Sequence, residues 1–127
     1  ENDLPVKAAR KLVPPDFLIG ASAASLSSAQ EAVAAGADYL GVGPVFPTAT
    51  KPDAGKPIGL KNLSLICKSV NIPVFAIGGI NAENASSVLV AGADGIATVS
   101  AASVLIKSLA HYRKGEVFCS LVKPLKK

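Results

Sequence analysis

A long loop between residues 43 and 59 carries the side chains best suited to binding phosphate groups. Its sequence, GPVFPTATKPDAGKPIG, contains the hydroxyls of Thr48 and Thr50 and the ammonium group of Lys51. Hydroxyls and a mobile cation are well matched to phosphate or diphosphate oxygens. Loops of this length without structure of their own often belong to active sites. The loop therefore predicts an anion-binding site, with a solvated proline-rich turn as the alternative.

Two consecutive glycines predict a second phosphate-binding segment. Gly78 and Gly79 stand between a predicted strand and a predicted helix, and Val99 and Ser100 follow the next predicted strand in the same way. Glycines let the backbone approach a ligand, and a helix start presents free N–H groups to an anion. The last two strand-to-helix loops are also where many barrels bind a phosphate. The pair favours a phosphate site over a simple tight turn.

Other polar residues are less informative. Ser22 ends the first predicted strand, where a structural hydroxyl and a ligand contact are equally plausible. His111 has no Cys, Asp or Ser at a spacing typical of catalysis, which favours a surface or helix-end role. Cys67 and Cys119 stand in no metal-binding spacing, and this indicates a reduced cytosolic protein.

Alternating strands and helices are predicted along the chain. The apolar runs are continuous, which is typical of parallel strands buried on both faces. Ser25 and Asn81 are the predicted N-caps of two helices. The predicted strands are 17–22, 39–42, 73–78 and 95–99, and the predicted helices are 6–12, 26–35, 60–70, 81–90 and 102–113.

An internal repeat supports this order. The string Ala-Gly-Ala-Asp occurs at 35–38 and again at 91–94, each time directly before a predicted strand. Each helix is then expected to end at Gly36 or Gly92, and right-handed crossovers make the sheet parallel. We predict an α/β fold of about four βα units, the C-terminal half of a (βα)₈ TIM barrel. The open edges would require a second copy or a complementing N-terminal half-barrel.

Length and charge limit the alternatives. The chain has 127 residues and a formal charge of +4, whereas a complete barrel needs about 250 residues. Residues 1–114 are predicted to form the partial barrel, followed by a basic tail of unknown role at 115–127. Without a basic helix or interleaved aromatics, nucleic-acid binding is not expected. Neither a membrane span nor a signal peptide is predicted, so we expect a cytoplasmic protein.

Four segments, in order, strongly resemble the thiamine phosphate synthase family. They are ADYLGVGPVFPTATK, PIGL, IPVFAIGGIN and AGADGIATVSA, and the resemblance extends from about residue 3 to residue 102. The related thiazole tautomerase branch lacks the Pro-Thr-x-Thr-Lys string that stands here at 47–51. The synthase is therefore the better match.

The resemblance implies a transferase of thiamine biosynthesis. Such an enzyme condenses hydroxymethylpyrimidine diphosphate with thiazole phosphate and releases diphosphate. Lys51 would be the catalytic residue that contacts the diphosphate, and Asp3 would bind Mg²⁺. The substrate-binding residues would be Ser22, Thr48, Thr50, Gly79, Val99 and Ser100.

Some functional residues of the family have no counterpart in this chain. The earlier metal and diphosphate ligands are absent, which leaves two kinds of alternative. One is an inactive phosphate-binding module or truncated paralogue. The other is a different barrel enzyme, similar to a thiazole tautomerase or a sugar-phosphate isomerase.

Overall fold

Helices and strands alternate along the chain, as the hydrophobic pattern predicts. The structure, a computed structural model, describes residues 4–48 and 55–98. The predicted helix 102–113 and tail 115–127, and with them the domain boundary at 114, lie outside the described residues. The elements are α1 (Val6–Leu12), β1 (Gly20–Ala23), α2 (Leu26–Ala34), β2 (Tyr39–Val42), α3 (Gly59–Ser69), β3 (Val74–Ile77), α4 (Ala85–Val90) and β4 (Gly95–Ala97).

The four described strands form one parallel sheet in the order β1-β2-β3-β4. This confirms the predicted α/β fold with a parallel sheet. Because neighbouring strands run in the same direction, their carboxyl ends lie at one edge of the sheet. The loops that follow β2 and β3 therefore start side by side.

Helices cover one face of the sheet and form the core with it. The buried residues include Leu40, Val42, Val74, Ala76 and Ile96 from the strands and Ala29, Leu63, Ile66 and Val88 from the helices. The buried residues of α3, and likewise those of α4, stand three positions apart, as on one face of a helix. Leu26, at the first position of α2, is 40% exposed.

The opposite face of the sheet carries apolar side chains that stay partly exposed. Strand register places Ser22, Gly41 and Phe75 in one row on this face. The rings of Tyr39 and Phe75 meet edge to face with 5.7 Å between their centroids. Ile77 is 42% exposed at the end of β3. Within the described residues, other side chains cover only part of this apolar face.

The first strand is shorter than predicted. The expected strand 17–22 begins only at Gly20, because Phe17 is held in a turn. Its N–H donates to the carbonyl of Pro14 at 3.0 Å, and its carbonyl accepts a bond from the Arg10 guanidinium at 2.8 Å. The apolar side chain of Phe17 gives no sign of these two backbone hydrogen bonds, so the apolar pattern placed the start of the strand too early.

The predicted cap of α2 is confirmed. The Ser25 hydroxyl accepts a bond from the Ser28 N–H at 3.1 Å, and the Ser28 hydroxyl accepts one from the Ser25 N–H at 3.1 Å. This reciprocal capping box satisfies two backbone donors at the start of the helix.

Helix α4 begins later than predicted, and Asn81 is not its N-cap. The helix starts at Ala85, after a turn over 82–84. The Asn81 side chain accepts bonds from the N–H groups of Glu83 and Asn84 at 2.9 and 3.1 Å. These local bonds compete with helix formation and keep the segment in a turn.

The repeated aspartates each tie two neighbouring strands together at the amino edge of the sheet. Asp38 donates its N–H to the Ile19 carbonyl at 2.7 Å, and its carboxylate accepts the Ile19 N–H at 2.7 Å. Asp94 does the same with Val74, with both bonds at 2.8 Å. Each copy of the repeat therefore joins its loop to the preceding strand through two hydrogen bonds of one aspartate. We refer to these contacts as the aspartate clamps.

Glycines precede both clamps, as predicted. Gly36 and Gly92 have φ values of 101° and 117°, in the left-handed region that favours glycine. After α2, the N–H of Ala37 reaches back to the Ala32 carbonyl at 3.0 Å. The chain can therefore leave each helix and turn sharply into the following strand.

Arg10 connects α1 to the first clamp. Its guanidinium donates to the Gly36 carbonyl at 2.8 Å and to the Asp38 carboxylate at 2.6 Å. The Ile19 N–H, and then the Arg10 side chain, hold the pKa of Asp38 below its ordinary value. One side chain therefore links α1 to the end of α2 and to the loop before β2.

None of the helices within residues 4–48 and 55–98 is long and apolar enough to cross a membrane.

We expect Asp94→Ala to lower the free energy of unfolding by about 1 kcal/mol, because the Val74 N–H loses its charged acceptor at the start of a buried strand. Urea denaturation measures the change. Asp16→Ala removes an exposed carboxylate from a turn and serves as the control. Equal stability of Asp94→Ala and the parent chain would contradict a stabilising role for the second clamp.

The first clamp makes stability depend on pH. Since folding lowers the pKa of Asp38, its contribution is present above the ordinary aspartate pKa and is lost as the pH falls through the lower folded value. We expect the free energy of unfolding to decrease below about pH 4, with a smaller decrease in Asp38→Asn. Urea titrations between neutral and acidic pH test this. If the free energy of unfolding fell equally in both proteins at acidic pH, the pH dependence would not come from Asp38.

Candidate functional site

The loop after β2 is anchored to the end of β3. The Val45 N–H donates to the Ile77 carbonyl at 3.0 Å, and the Phe46 N–H donates to the Gly78 carbonyl at 3.1 Å. These bonds extend the pairing of β2 and β3 past the strand ends. They place the residues leading to Thr48 directly beside the Gly78-Gly79 turn.

The same loop is closed at its base. The carbonyls of Pro44 and Val45 accept bonds from the N–H groups of Ile58 and Gly59 at 2.8 and 2.9 Å. Pro44 and Val45 are buried. The two described ends of the long loop predicted as an active-site segment are therefore bonded to each other at the carboxyl edge of the sheet.

Both glycines of the turn are required by space as well as by conformation. Gly78 and Gly79 have φ values of 98° and 67°. A Cβ atom on Gly78 would lie 2.6 Å from Pro44, and one on Gly79 would lie 2.6 Å from the Pro47 carbonyl oxygen. The turn and the loop after β2 are packed against each other through backbone, which only glycine permits.

The turn presents two consecutive unpaired N–H groups. The carbonyls of Ile77 and Gly78 are occupied by the loop after β2, and that of Gly79 accepts the Asn84 side-chain amide at 3.0 Å. By contrast, the N–H groups of Gly79 and Ile80 donate to no acceptor within residues 4–48 and 55–98. Adjacent unpaired N–H groups of this kind form an anion-binding concavity.

These donors differ from the predicted ones. The sequence predicts that a helix start supplies the N–H groups, but α4 begins only at Ala85 and has 6 residues. The donors lie in the turn itself. Their directions are set by the occupied carbonyls of Gly78 and Gly79, because the C=O and N–H of a trans peptide point in opposite directions.

The structure brings together only some of the predicted site residues. Gly79 contacts Phe46 and Pro47, so it lies beside the half-buried Thr48. Ser22 is exposed on β1, with β2 between its strand and β3. The remaining predicted site residues, which are Asp3, Thr50, Lys51, Val99 and Ser100, lie outside the described residues.

Sequence reasoning did not identify two residues that shape the site. Phe46 supplies one of the bonds that hold the turn, and Asn84 holds the Gly79 carbonyl. Asn84 could have been found from its spacing. Two asparagines three positions apart, the first of them two positions after a glycine pair, are typical of a side-chain-stabilised turn.

The described residues do not fit a Mg²⁺ site. They contain no group of three or more His, Cys, Asp or Glu side chains that could hold a metal ion. Asp38 and Asp94 are committed to the clamps at the opposite edge of the sheet, and Glu83 is a single carboxylate in the turn after β3. Asp3, the predicted ligand, belongs to the part that is not described.

Two other features lie away from the carboxyl edge. Burial, and then the Asp94 carboxylate, raise the pKa of the half-buried Cys67 thiol, which keeps it protonated and poorly nucleophilic. An open groove of about 470 Å³ runs between α3 and α4, with Leu60, Ser64 and Ser87 in its wall. Its lining is mostly apolar, and it contains none of the predicted site residues.

The comparison with known proteins agrees with the sequence motifs. The sequence model for thiamine monophosphate synthase matches residues 1–102. The thiamine-phosphate synthase of Chloroflexus aurantiacus is 58% identical over 101 residues, which are 80% of this chain and 46% of that protein. The Moorella thermoacetica enzyme of the same name is 50% identical over 101 residues, or 80% of this chain and 48% of that protein.

A solved structure shows the same fold. The thiamine phosphate pyrophosphorylase of Pyrococcus furiosus superposes with a TM-score of 0.72 at 44% sequence identity, covering 98% of this chain and 57% of that one. The chain spans about half the length of the curated relatives it matches. These relatives carry the synthase name, which favours the synthase prediction over the tautomerase and isomerase alternatives. The predicted resemblance is confirmed, and the chain belongs to the thiamine monophosphate synthase family.

Proposed function

We propose that this chain supplies the thiazole phosphate half of a thiamine phosphate synthase site. The complete enzyme would condense hydroxymethylpyrimidine diphosphate with thiazole phosphate, as a transferase of thiamine biosynthesis in the cytoplasm. The observation that carries the proposal is the pair of adjacent unpaired N–H groups at Gly79 and Ile80, beside the loop that leads to Thr48.

Phosphate is the ligand that best suits this turn. Its oxygens accept several hydrogen bonds at once, and converging N–H dipoles favour an anion over a neutral group. The turn needs no cation to attract such a ligand. A phosphate here would lie at the carboxyl edge of the sheet, where barrel enzymes place their active sites.

The residues outside the described part complete the proposed site. Thr50 would join Thr48 at the thiazole phosphate, as would Val99 and Ser100 after β4. Lys51 would stabilise the charge on the departing diphosphate, since leaving-group charge is the main electrostatic demand of the reaction. Ser22 would lie nearer the pyrimidine or the diphosphate.

Mg²⁺ bound at Asp3 stays a prediction for the complete enzyme. The described residues contain no group of side chains that could hold the metal, so the roles proposed for this chain do not involve it. The steps assigned to this chain are phosphate binding by the turn and charge stabilisation by Lys51.

We further propose that the four βα units are half of a (βα)₈ barrel. The partly exposed face bearing Tyr39, Phe75 and Ile77 would become the barrel interior. β1 and β4, the two edge strands of the described sheet, would pair with strands from elsewhere. A second copy or a complementing N-terminal half-barrel would supply them, consistent with the 46% of the Chloroflexus aurantiacus relative that the chain covers.

Activity assays with and without a second half test the proposed function. We expect thiamine phosphate, identified by mass spectrometry, from both substrates and Mg²⁺ when the N-terminal half of the Chloroflexus aurantiacus relative is added. Product from the chain alone would mean that a second copy completes the site. Absence of product in both mixtures, with folded protein, would contradict the proposed function.

Gly79→Ala is expected to weaken thiazole phosphate binding at least about tenfold, because the new methyl group would displace the loop after β2 or distort the turn. Isothermal titration calorimetry measures the affinity. Gly36→Ala is the matched control, since Gly36 also has a positive φ but lies at the opposite edge, where an added Cβ atom would be 3.8 Å from its nearest neighbour, the Arg10 side chain. Similar affinity losses in both variants would indicate general destabilisation instead.

Lys51→Ala is expected to reduce the turnover of the completed enzyme at least about a hundredfold while leaving the affinity for thiazole phosphate nearly unchanged, because its charge is needed for the leaving group. Steady-state kinetics and calorimetry separate the two effects. Lys56→Ala removes a nearby exposed cation and should have little influence on either quantity. Equal turnover in Lys51→Ala and the parent would rule out the assigned role.

A further inference from the structure

We propose that Asn84 is a positioning residue of the phosphate site, a role that rests on the proposed function. Its side-chain amide holds the Gly79 carbonyl and thereby directs the Ile80 N–H toward the ligand. Without this bond the turn would offer one oriented donor instead of two.

Both ends of the Asn84 amide are engaged. Nδ2 donates to the Gly79 carbonyl at 3.0 Å, and Oδ1 accepts the Asn81 N–H at 2.8 Å. The Asn81 side chain in turn accepts the Asn84 N–H at 3.1 Å. With contacts at both ends and at its own backbone, Asn84 is held in one orientation, as a positioning residue requires.

The bond to Gly79 determines where the next N–H points. In a trans peptide the carbonyl and the N–H of the following residue lie on opposite sides. Because Asn84 binds the Gly79 carbonyl, the Ile80 N–H must face away from Asn84. Ile80 itself is held from the other side, since its carbonyl accepts the buried Thr98 hydroxyl at 3.4 Å.

Gly79 makes such a contact necessary. A glycine reaches many backbone conformations at low cost, so the Gly79–Ile80 peptide could rotate and present its carbonyl to the phosphate. Two negative oxygens would then repel each other. The Asn84 amide favours the peptide orientation in which a donor faces the anion.

A helix-capping role does not explain the Asn84 side chain. Asn84 occupies the N-cap position of α4, where an asparagine oxygen ordinarily accepts an N–H from the first turn of the helix. Its side chain makes no such bond here. It reaches backward to Gly79 and Asn81 instead, so its contacts stabilise the turn and not the helix.

Calorimetry with inorganic phosphate and with thiazole phosphate tests the role of Asn84. We expect Asn84→Ala to raise Kd about fivefold or more, the effect of losing one oriented hydrogen bond. Asn84→Asp should bind still more weakly, because it places a carboxylate against the Gly79 carbonyl and near the anion. Asn62→Ala is the control, since Asn62 makes an equivalent amide-to-carbonyl bond of 2.9 Å with Ile58 and should leave Kd unchanged. An Asn84→Ala Kd within about twofold of the parent would overturn the proposal.

If Asn84→Ala does not fold, a measurement on the unmodified chain still tests the role of Asn84. In an amide NMR titration with inorganic phosphate, we expect the Gly79 and Ile80 signals to shift together. A shift of Gly79 without Ile80 would overturn the role of Asn84 and leave the proposed function in place. If neither signal shifted with either phosphate or thiazole phosphate, the proposed function itself would fail.

Discussion

The pairing of β2 with β3 continues beyond the ends of the strands, and the candidate site depends on this extension. Two N–H groups of the loop after β2 bind the carbonyls of Ile77 and Gly78. They hold the loop against the turn and leave the N–H groups of the turn facing the other way. The Asn84 side chain holds the Gly79 carbonyl in a similar way, so contacts from neighbouring segments fix the donors before a ligand binds.

The two edges of the sheet perform different tasks. At the amino edge, Asp38 and Asp94 bind the backbone of the preceding strands and stabilise the repeated unit. At the carboxyl edge, glycine and proline residues shape loops with unpaired donors. This separation lets the loops vary in sequence without loss of the clamps, and it is typical of parallel α/β enzymes.

The partly exposed face of the sheet is the surface that the proposed second half of the barrel would cover. Tyr39 and Phe75 contact each other there, and Ile77 remains 42% exposed. Complete burial of a large apolar side chain contributes about 1.5–3 kcal/mol, so covering this face would stabilise the fold substantially. Strands from a second half would bury these side chains and bring further ligands to the carboxyl edge.

Local patterns in the sequence were sufficient to predict the order of the helices and strands. Continuous apolar runs identified the four strands, Gly36 and Gly92 marked the ends of two helices, and Ser25 formed the predicted cap. The motifs also led to the correct family and to Gly79 as part of the candidate site. These features depend on neighbouring residues or on short spacings, which a sequence displays directly.

The tertiary structure decided the features that depend on competition between distant groups. Arg10 binds the Phe17 carbonyl and shortens β1, and the contacts of Asn81 and Asn84 delay the start of α4. The identity of the unpaired donors also became evident only in three dimensions, because it depends on which carbonyls of the turn are occupied by the loop after β2 and by Asn84. The sequence alone determined the elements and the family, whereas the direction of each peptide in the site is set by hydrogen bonds between segments that the sequence does not place side by side.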